Sequence, residues 1–401
     1  MTTERTTQSL KLVSIATAHG FSDGFHYVLV PVLPLIMQEL GLSILQTGMI
    51  VSAQGLAVFL MLMPASILSD YLGRRKVILT TGLILAAFSF MGIGLVGKNY
   101  YLILVLSFLV GLGNSTFHPT ATALVSEAFR TRPGFFMGMF SLGGNIGSAV
   151  MPAIIGSLAL TLGWRAGLQF IMLPVIVLAV LVYRFLPESH GSRQRASDMF
   201  SGIWEKVCCN LKVCCNLPVV TLIVIYSLRG IGYRGIITFF PLLIAATMGA
   251  DARTAGLLMS VYFFLGAVSK PLLGMFYDRF GVRLLLAALF LLGAAATVAL
   301  TRTTHIAVMV FLMGLLGVVS FISPILMTAA TSLVDQSVRT STVGMIYTAY
   351  EIQFLSPIIG GWIAQAYSLK ACFIFFASVL VLGGIASLLL QEKRIPKLKE
   401  I

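Results

Sequence analysis

"SDYLGRRK" occupies residues 69–76, and "YDRFGVRL" occupies residues 277–284. At a single offset of 208 positions, Asp70, Gly73 and Arg75 fall on Asp278, Gly281 and Arg283. Each stretch closes one apolar run and opens the next. A carboxylate ending a helix, a glycine that turns the chain and arginines just beyond it can pin two helices together through charge-assisted hydrogen bonds. The recurrence means that the chain is built twice. Shorter echoes agree: "MPAIIG" (151–156) returns as "SPIIGG" (356–361), and "LPLI" (33–36) as "FPLL" (240–243).

Composition says what the two copies are made of. Of 401 residues, 58% are hydrophobic and 10% are charged, with a mean hydropathy of +0.97. A soluble domain carries about 25% charged residues, so this chain could not cover a water-facing surface. Richness in Ala, Gly and Leu, without alternating ten-residue segments, argues against an outer-membrane barrel. Runs long enough to cross a bilayer, roughly 20 residues, predict twelve spans: 11–37, 44–68, 77–96, 101–127, 134–160, 165–187, 218–247, 253–276, 283–301, 305–334, 340–366 and 370–391. The expected fold is an all-α polytopic membrane protein of twelve transmembrane helices in two pseudo-symmetric bundles. Residues 1–187 form the first six-helix bundle, 188–216 a cytoplasmic linker and 217–401 the second bundle.

The net charge of +13 marks topology and not nucleic acid, because the basic residues sit in short connections between spans. With both termini on one side, that side takes nineteen of the 27 Lys and Arg residues and the other takes five. Both termini are therefore expected in the cytoplasm. The polar start "MTTERTTQS" and the long first apolar run argue against a cleaved signal peptide. Cys208, Cys209, Cys214 and Cys215 crowd into "CCNLKVCC"; that spacing is no standard zinc framework and reads as an interfacial linker stretch. No phosphate loop, H-E-x-x-H or G-x-S-x-G occurs, so neither an ATP-driven pump nor a hydrolase has support. The reading assigns no enzymatic activity, no resident cofactor and no metal site.

"SILSDYLGRRK" (66–76) resembles the loop signature of the major facilitator superfamily, with Ser66 where a first glycine is usual. The second copy, "GMFYDRFGVR" (274–283), keeps Gly274, Asp278, Arg279, Gly281 and Arg283. Within that superfamily the N-terminal half resembles fosmidomycin-resistance-type efflux proteins through "AHGFSDGF" (18–25), "GLGNSTFHP" (111–119) and "GGNIGS" (143–148). The resemblance implies alternating access about a midplane site. Spans 1, 4, 7 and 10 would line a central cavity, with 2, 5, 8 and 11 beside them. It also implies export by proton exchange and a cytoplasmic gate of Asp70, Gly73, Arg74, Arg75, Glu127, Asp278, Arg279, Gly281 and Arg283.

Charges inside the spans point to the same cavity. One at mid-membrane costs roughly 2.5–3.5 kcal/mol; Asp23, Arg229, Arg234, Lys270 and Glu351, unpaired, would cost on the order of 12–17 kcal/mol. That rivals the stability of a whole fold, so these residues must face each other or water. Helical spacing groups them into stripes: His19, Asp23 and His26; Asn114 and His118; Ser141, Asn145 and Ser148; Tyr226, Arg229 and Tyr233; Tyr347 and Glu351. Arg234 lies roughly 140° around the helix from Arg229, which suggests a packing contact. Asp23 and Glu351 are the candidates for a coupling proton, with His19 and His118 to relay it. Arg229 offers a planar fork for carboxylate or phosphonate, and Tyr226, Tyr233, Tyr347, Asn145, Gln54 and His118 complete the expected solute site.

Each assignment has a plainer alternative. Asp23 and Arg229 could be a structural ion pair, His118 could satisfy a carbonyl freed by Pro119, and His26 could simply pack. Lys270 could snorkel, and Asn145 could bridge closely packed helices. The expected protein is a proton-coupled exporter of a small organic anion, a monomer in a bacterial inner membrane, whose partners are its solute, protons and lipid. The rivals are a multidrug antiporter for lipophilic cations and a non-transporting receptor on the same fold.

Overall fold

Gly73 and Gly281 end spans 2 and 8 at φ of 60° and 76°, a backbone region that glycine enters without a Cβ clash. The next helices follow at once, at Arg75 and Val282. Polar caps start others: Ser43 and Gln46 form a reciprocal capping box at the head of span 2, and Asn99, Asp251 and Ser368 each accept a backbone N–H. Asp251 lies outside the span Ala252–Phe280 that it caps. The backbone N–H of Thr254 holds its carboxyl below the ordinary carboxylate range.

The computed structural model describes residues 2–129, 132–186, 217–333 and 339–390. The cysteine-rich linker stretch and the side chain of Asp70 lie outside the described residues. The described residues form helices joined by short turns, with no strand among them, and eleven of the helical stretches are long and apolar enough to cross a membrane. The protein is an all-α polytopic membrane protein. The predicted span 340–366 is corrected: it is not one rod but Arg339–Tyr350, a 3-10 turn Glu351–Leu355, and Ser356–Ala366.

Three more spans are interrupted. Span 1 leaves the α-helix after Phe25 and resumes at Leu33. Span 4 breaks at Thr116, and span 10 breaks between Ser320 and Ser323. A break frees backbone carbonyls that a membrane interior cannot hydrate, and side chains from neighbouring spans meet them. Gln54 Nε2 donates to the Phe25 carbonyl at 3.0 Å, Arg234 Nη1 to that of His26 at 3.2 Å, and Arg229 Nε to that of Ser320 at 2.8 Å. In span 11, the Ala349 carbonyl accepts from Ser227 Oγ at 3.2 Å.

Two apolar cores form. One gathers Ile15, Phe90, Leu124 and Met172 from spans 1–6, and the other gathers Tyr226, Phe240, Phe290 and Phe376 from spans 7–12. Between them the two groups touch most closely at the end opposite the Asp-x-x-Gly-x-Arg loops, through glycine. A Cβ on Gly48 would lie 2.3 Å from the Pro357 oxygen, one on Gly156 2.3 Å from that of Ala252, and one on Gly256 2.1 Å from that of Pro152. Backbone meets backbone there, and the end is sealed.

Candidate substrate cavity

The spans separate toward the other end. A cavity of about 1110 Å³ lies between the two groups. Its wall follows span 2 from Val58 to Ser66 and span 4 from Asn114 through His118 to Ser126. It thus reaches the end that carries both loop motifs, and Thr122 and Ser126 are exposed along it. Residues at all four helix breaks line it: His26 and Tyr27, Ser115, Phe321 and Ser323, Glu351 and Gln353.

The wall supplied by spans 1–6 is built around Asp23. His19 Nε2 lies 3.4 Å from its Oδ2, and His118 Nε2 lies 3.2 Å from its Oδ1. Asp23 and His118 line the cavity, whereas His19 is buried behind them. The Phe140 carbonyl sits 2.7 Å from His19 Nδ1. A carbonyl can only accept, so Nδ1 carries the hydrogen and Nε2 turns to Asp23. Stacking on Phe140, with ring centroids 4.0 Å apart, holds the ring in place. Gly144 makes the approach possible, since a Cβ there would lie 2.3 Å from Asp23 Oδ2. Beside this group, Ser22 Oγ donates to Asn114 Oδ1 at 2.5 Å, and Asn114 Nδ2 faces His26 Nε2 at 2.8 Å. His19, Asp23 and His118 bring three donor atoms within 4.8 Å of one another.

The opposite wall is cationic and aromatic. Arg229 is 8% exposed, with its guanidinium 5.4 Å from the Tyr226 ring and 5.3 Å from the Tyr350 ring. Such stacking favours a cation over the ring face. Lys270 Nζ reaches across to donate to Asn145 Oδ1 at 2.8 Å and lies 5.2 Å from the Phe321 ring. Arg234 crosses as well, through its bond to the His26 carbonyl and its place 5.4 Å from the Tyr27 ring.

Several sequence expectations change. Asp23 does not pair with Arg229: Asp23 is held by two histidines, and Arg229 Nε is spent on a broken helix end. Arg234 and His26, for which packing was the alternative reading, both line the cavity. Tyr226 and Gln54 do not line it; they are 2% exposed and support Arg229 and the end of the first helix. Tyr233 does line it, but its hydroxyl points toward Gly293 and is buried without a hydrogen-bond partner among the described residues. Ser141 is exposed and lies outside the lining, whereas Ser148 and Asn145 belong to it. Tyr347 is 46% exposed along the cavity, and Glu351 opens the 3-10 turn, with Gln353 Nε2 at 3.4 Å. Sequence reasoning missed Tyr27, Tyr262, Phe321 and Tyr350. Tyr27, Phe321 and Tyr350 lie at helix breaks, where 3.6-residue periodicity gives no direction, and Tyr262 packs against Phe321 from the unbroken helix Ala252–Phe280.

The cavity reaches the end that carries the loop residues. Arg75 Nη1 donates to Glu127 Oε1, joining the start of span 3 to the end of span 4 within one half. Arg74, Asp278, Arg279 and Arg283 are exposed. In this conformation the two groups meet instead through the glycine contacts at the far end.

A sequence profile of the Major Facilitator Superfamily matches residues 15–225 and again 222–400. This chain is similar to an uncharacterized transporter of that type, YfnC of Bacillus subtilis, at 23% identity across 96% of this chain and 93% of the relative. It is similar to the multidrug resistance protein MdtG of Yersinia enterocolitica at 25% identity, with 90% and 88% covered. Among solved structures, a bacterial homologue of the human lysosomal transporter Spinster, inward-facing and unoccupied, superposes with a TM-score of 0.80 at 15% identity, covering 96% of this chain and 97% of that one. The chain belongs to the Major Facilitator Superfamily, and it is a membrane transporter of small molecules, not an enzyme.

Proposed function

We propose that this member of the superfamily is a proton-coupled transporter that exports a small organic anion by alternating access. It works as a monomer, surrounded by lipid, in a bacterial inner membrane with both termini in the cytoplasm and a proton gradient as its drive. One observation carries the reading. A single cavity sets a carboxylate flanked by two imidazoles on one wall against Arg229, Arg234 and Lys270 on the other. Counted with Asp23 and Glu351, the cavity residues leave one formal positive charge in excess, which favours an anion.

The roles follow from the chemistry. Asp23 takes and releases the coupling proton, His118 passes it between Asp23 and the cavity, and His19 holds the carboxylate from behind. Glu351 stands across the cavity as a second acceptor. Arg229 keeps donors beyond the one given to Ser320, and with Tyr347, Asn145 and His118 it binds the solute. The loop residues Asp70, Gly73, Arg74, Arg75, Glu127, Asp278, Arg279, Gly281 and Arg283 form the gate in the alternate state. Export rests on the likeness of the N-terminal half to fosmidomycin-resistance-type proteins in the stretches quoted above.

A ligand that binds the folded protein raises its stability by mass action. Purified protein screened against small organic anions and lipophilic cations should be stabilised by anions, and Arg229→Ala should abolish that. The multidrug name carried by MdtG favours the rival reading. Stabilisation chiefly by lipophilic cations, indifferent to Arg229→Ala, would establish that reading instead.

A further inference from the structure

Asp23, His19 and His118 are arranged for more than proton relay. We propose that they form a binding site for one divalent transition-metal ion of the zinc and cobalt class, entered from the cavity.

The donor set comes first. Two imidazole nitrogens and a carboxylate suit such ions, whereas magnesium and calcium prefer sites made of oxygen. Zinc binds histidine nitrogen and carboxylate oxygen at roughly 2.0–2.2 Å, so neighbouring donors in a tetrahedral shell stand about 3.3 Å apart. His19 Nε2 lies 3.4 Å from Asp23 Oδ2, His118 Nε2 lies 3.2 Å from Asp23 Oδ1, and all three donors fit within 4.8 Å. Each histidine thus stands one coordination edge from an oxygen of the Asp23 carboxylate.

The support behind the donors is the second argument. A ligating histidine characteristically gives its other ring N–H to a carbonyl or carboxylate, which fixes tautomer and ring direction. His19 does this: its Nδ1–H goes to the Phe140 carbonyl at 2.7 Å, and the ring is 7% exposed between Phe140 and Phe117. Its Nε2 then faces a carboxylate oxygen at 3.4 Å, a contact that needs either a second ring proton or a metal cation between the two atoms. Gly144 leaves the space beside Asp23 Oδ2 and His19 Nε2 free of a Cβ. The site also has an entrance, because Asp23 and His118 form part of the cavity wall. From that side, water or an anionic solute completes the shell.

The inference stands apart from proton coupling, because its test is equilibrium binding and needs no transport. Cys208, Cys209, Cys214 and Cys215 could bind zinc on their own, so the test uses full-length protein carrying Cys→Ser at those four positions. Cobalt is titrated into it in detergent and followed by its visible absorption and by the stoichiometry of bound metal. The expected result is one cobalt per chain, displaced by zinc and not by a large excess of magnesium. Asp23→Asn and His118→Ala should each weaken binding at least tenfold, and Asp251→Asn, at a helix cap outside the cavity, should leave it unchanged. Both ligand variants are checked for a monodisperse chromatographic profile and unchanged helical content; if one fails, the other decides. If no cobalt binds, or if it binds with equal strength in a well-folded His118→Ala or Asp23→Asn protein, the proposal is overturned. In that case the trio is an ion-paired histidine–aspartate group alone.

Discussion

The two walls of the cavity solve the same problem in opposite ways. Asp23 is satisfied by its own half, between two histidines that spans 1 and 4 supply. Arg234 and Lys270 on the facing wall are satisfied by the other half, through the His26 carbonyl and Asn145. Arg229 is held by a helix break within its own group. The acid wall is thus preassembled, whereas the basic wall holds the halves together. An anion entering the cavity competes for the cations that bridge it. That gives a physical route from solute binding to a change of access, because a ligand shifts a conformational equilibrium only through contacts that differ between states.

Seven variants sharpen or break this division. The largest effect is expected from Arg229→Ala. A charge-assisted hydrogen bond is worth about 1.5–3 kcal/mol, so anion affinity should fall by roughly tenfold to a hundredfold, read by calorimetry. His118→Ala should leave that affinity within a few-fold; an equal loss would mean that the walls do not divide the labour. Next come Gly156→Ala and Gly256→Ala, which push a methyl group into the backbone of the opposite half. Overpacking costs about 1–3 kcal/mol, here set against the sealed end. A single cysteine placed near that end should become markedly more reactive toward a membrane-impermeant thiol reagent, and unchanged labelling would show that the seal lies elsewhere.

Lys270→Met removes one bridge of about 1 kcal/mol. It should shift the same labelling in the same direction, about fivefold, and Asn145→Ala should match it without adding to it. The smallest effect belongs to Glu127→Gln. Its pair with Arg75 is partly exposed, and such pairs contribute at most about 1 kcal/mol. Melting of the purified protein should move by no more than a degree or two. A large loss of stability would mean that this pair, and not the glycine contacts, governs the closed form.

The fold was legible in the sequence because its signals are long and redundant. Twenty-residue apolar runs, a repeated loop and a charge bias each report the same plan. The cavity was half legible. Asp23 and His118 were found because a charge in a membrane demands an explanation, and because four-residue spacing still holds in the unbroken part of span 1. The reading failed where helices break. His26 lies just past the last α-helical residue of span 1, so its place on the stripe of His19 and Asp23 carries no information about its direction. Glu351 heads a 3-10 turn and not the middle of a rod. Arg229 and Arg234 face the same cavity despite their angular separation, because each long side chain bends to a carbonyl freed by a neighbouring break. Gln54 was read as a solute ligand, but a freed carbonyl in span 1 claims it first. No pattern on one helix reveals the needs of another.

The most direct test is made in sealed vesicles. The best-binding anion from the stability screen is supplied, and an imposed proton gradient drives the wild type and Asp23→Asn. The wild type should concentrate the anion, and the variant should exchange labelled for unlabelled anion without concentrating it. Concentration by Asp23→Asn equal to that of the wild type would contradict the account, since the carboxylate between the two histidines would then carry no coupling proton.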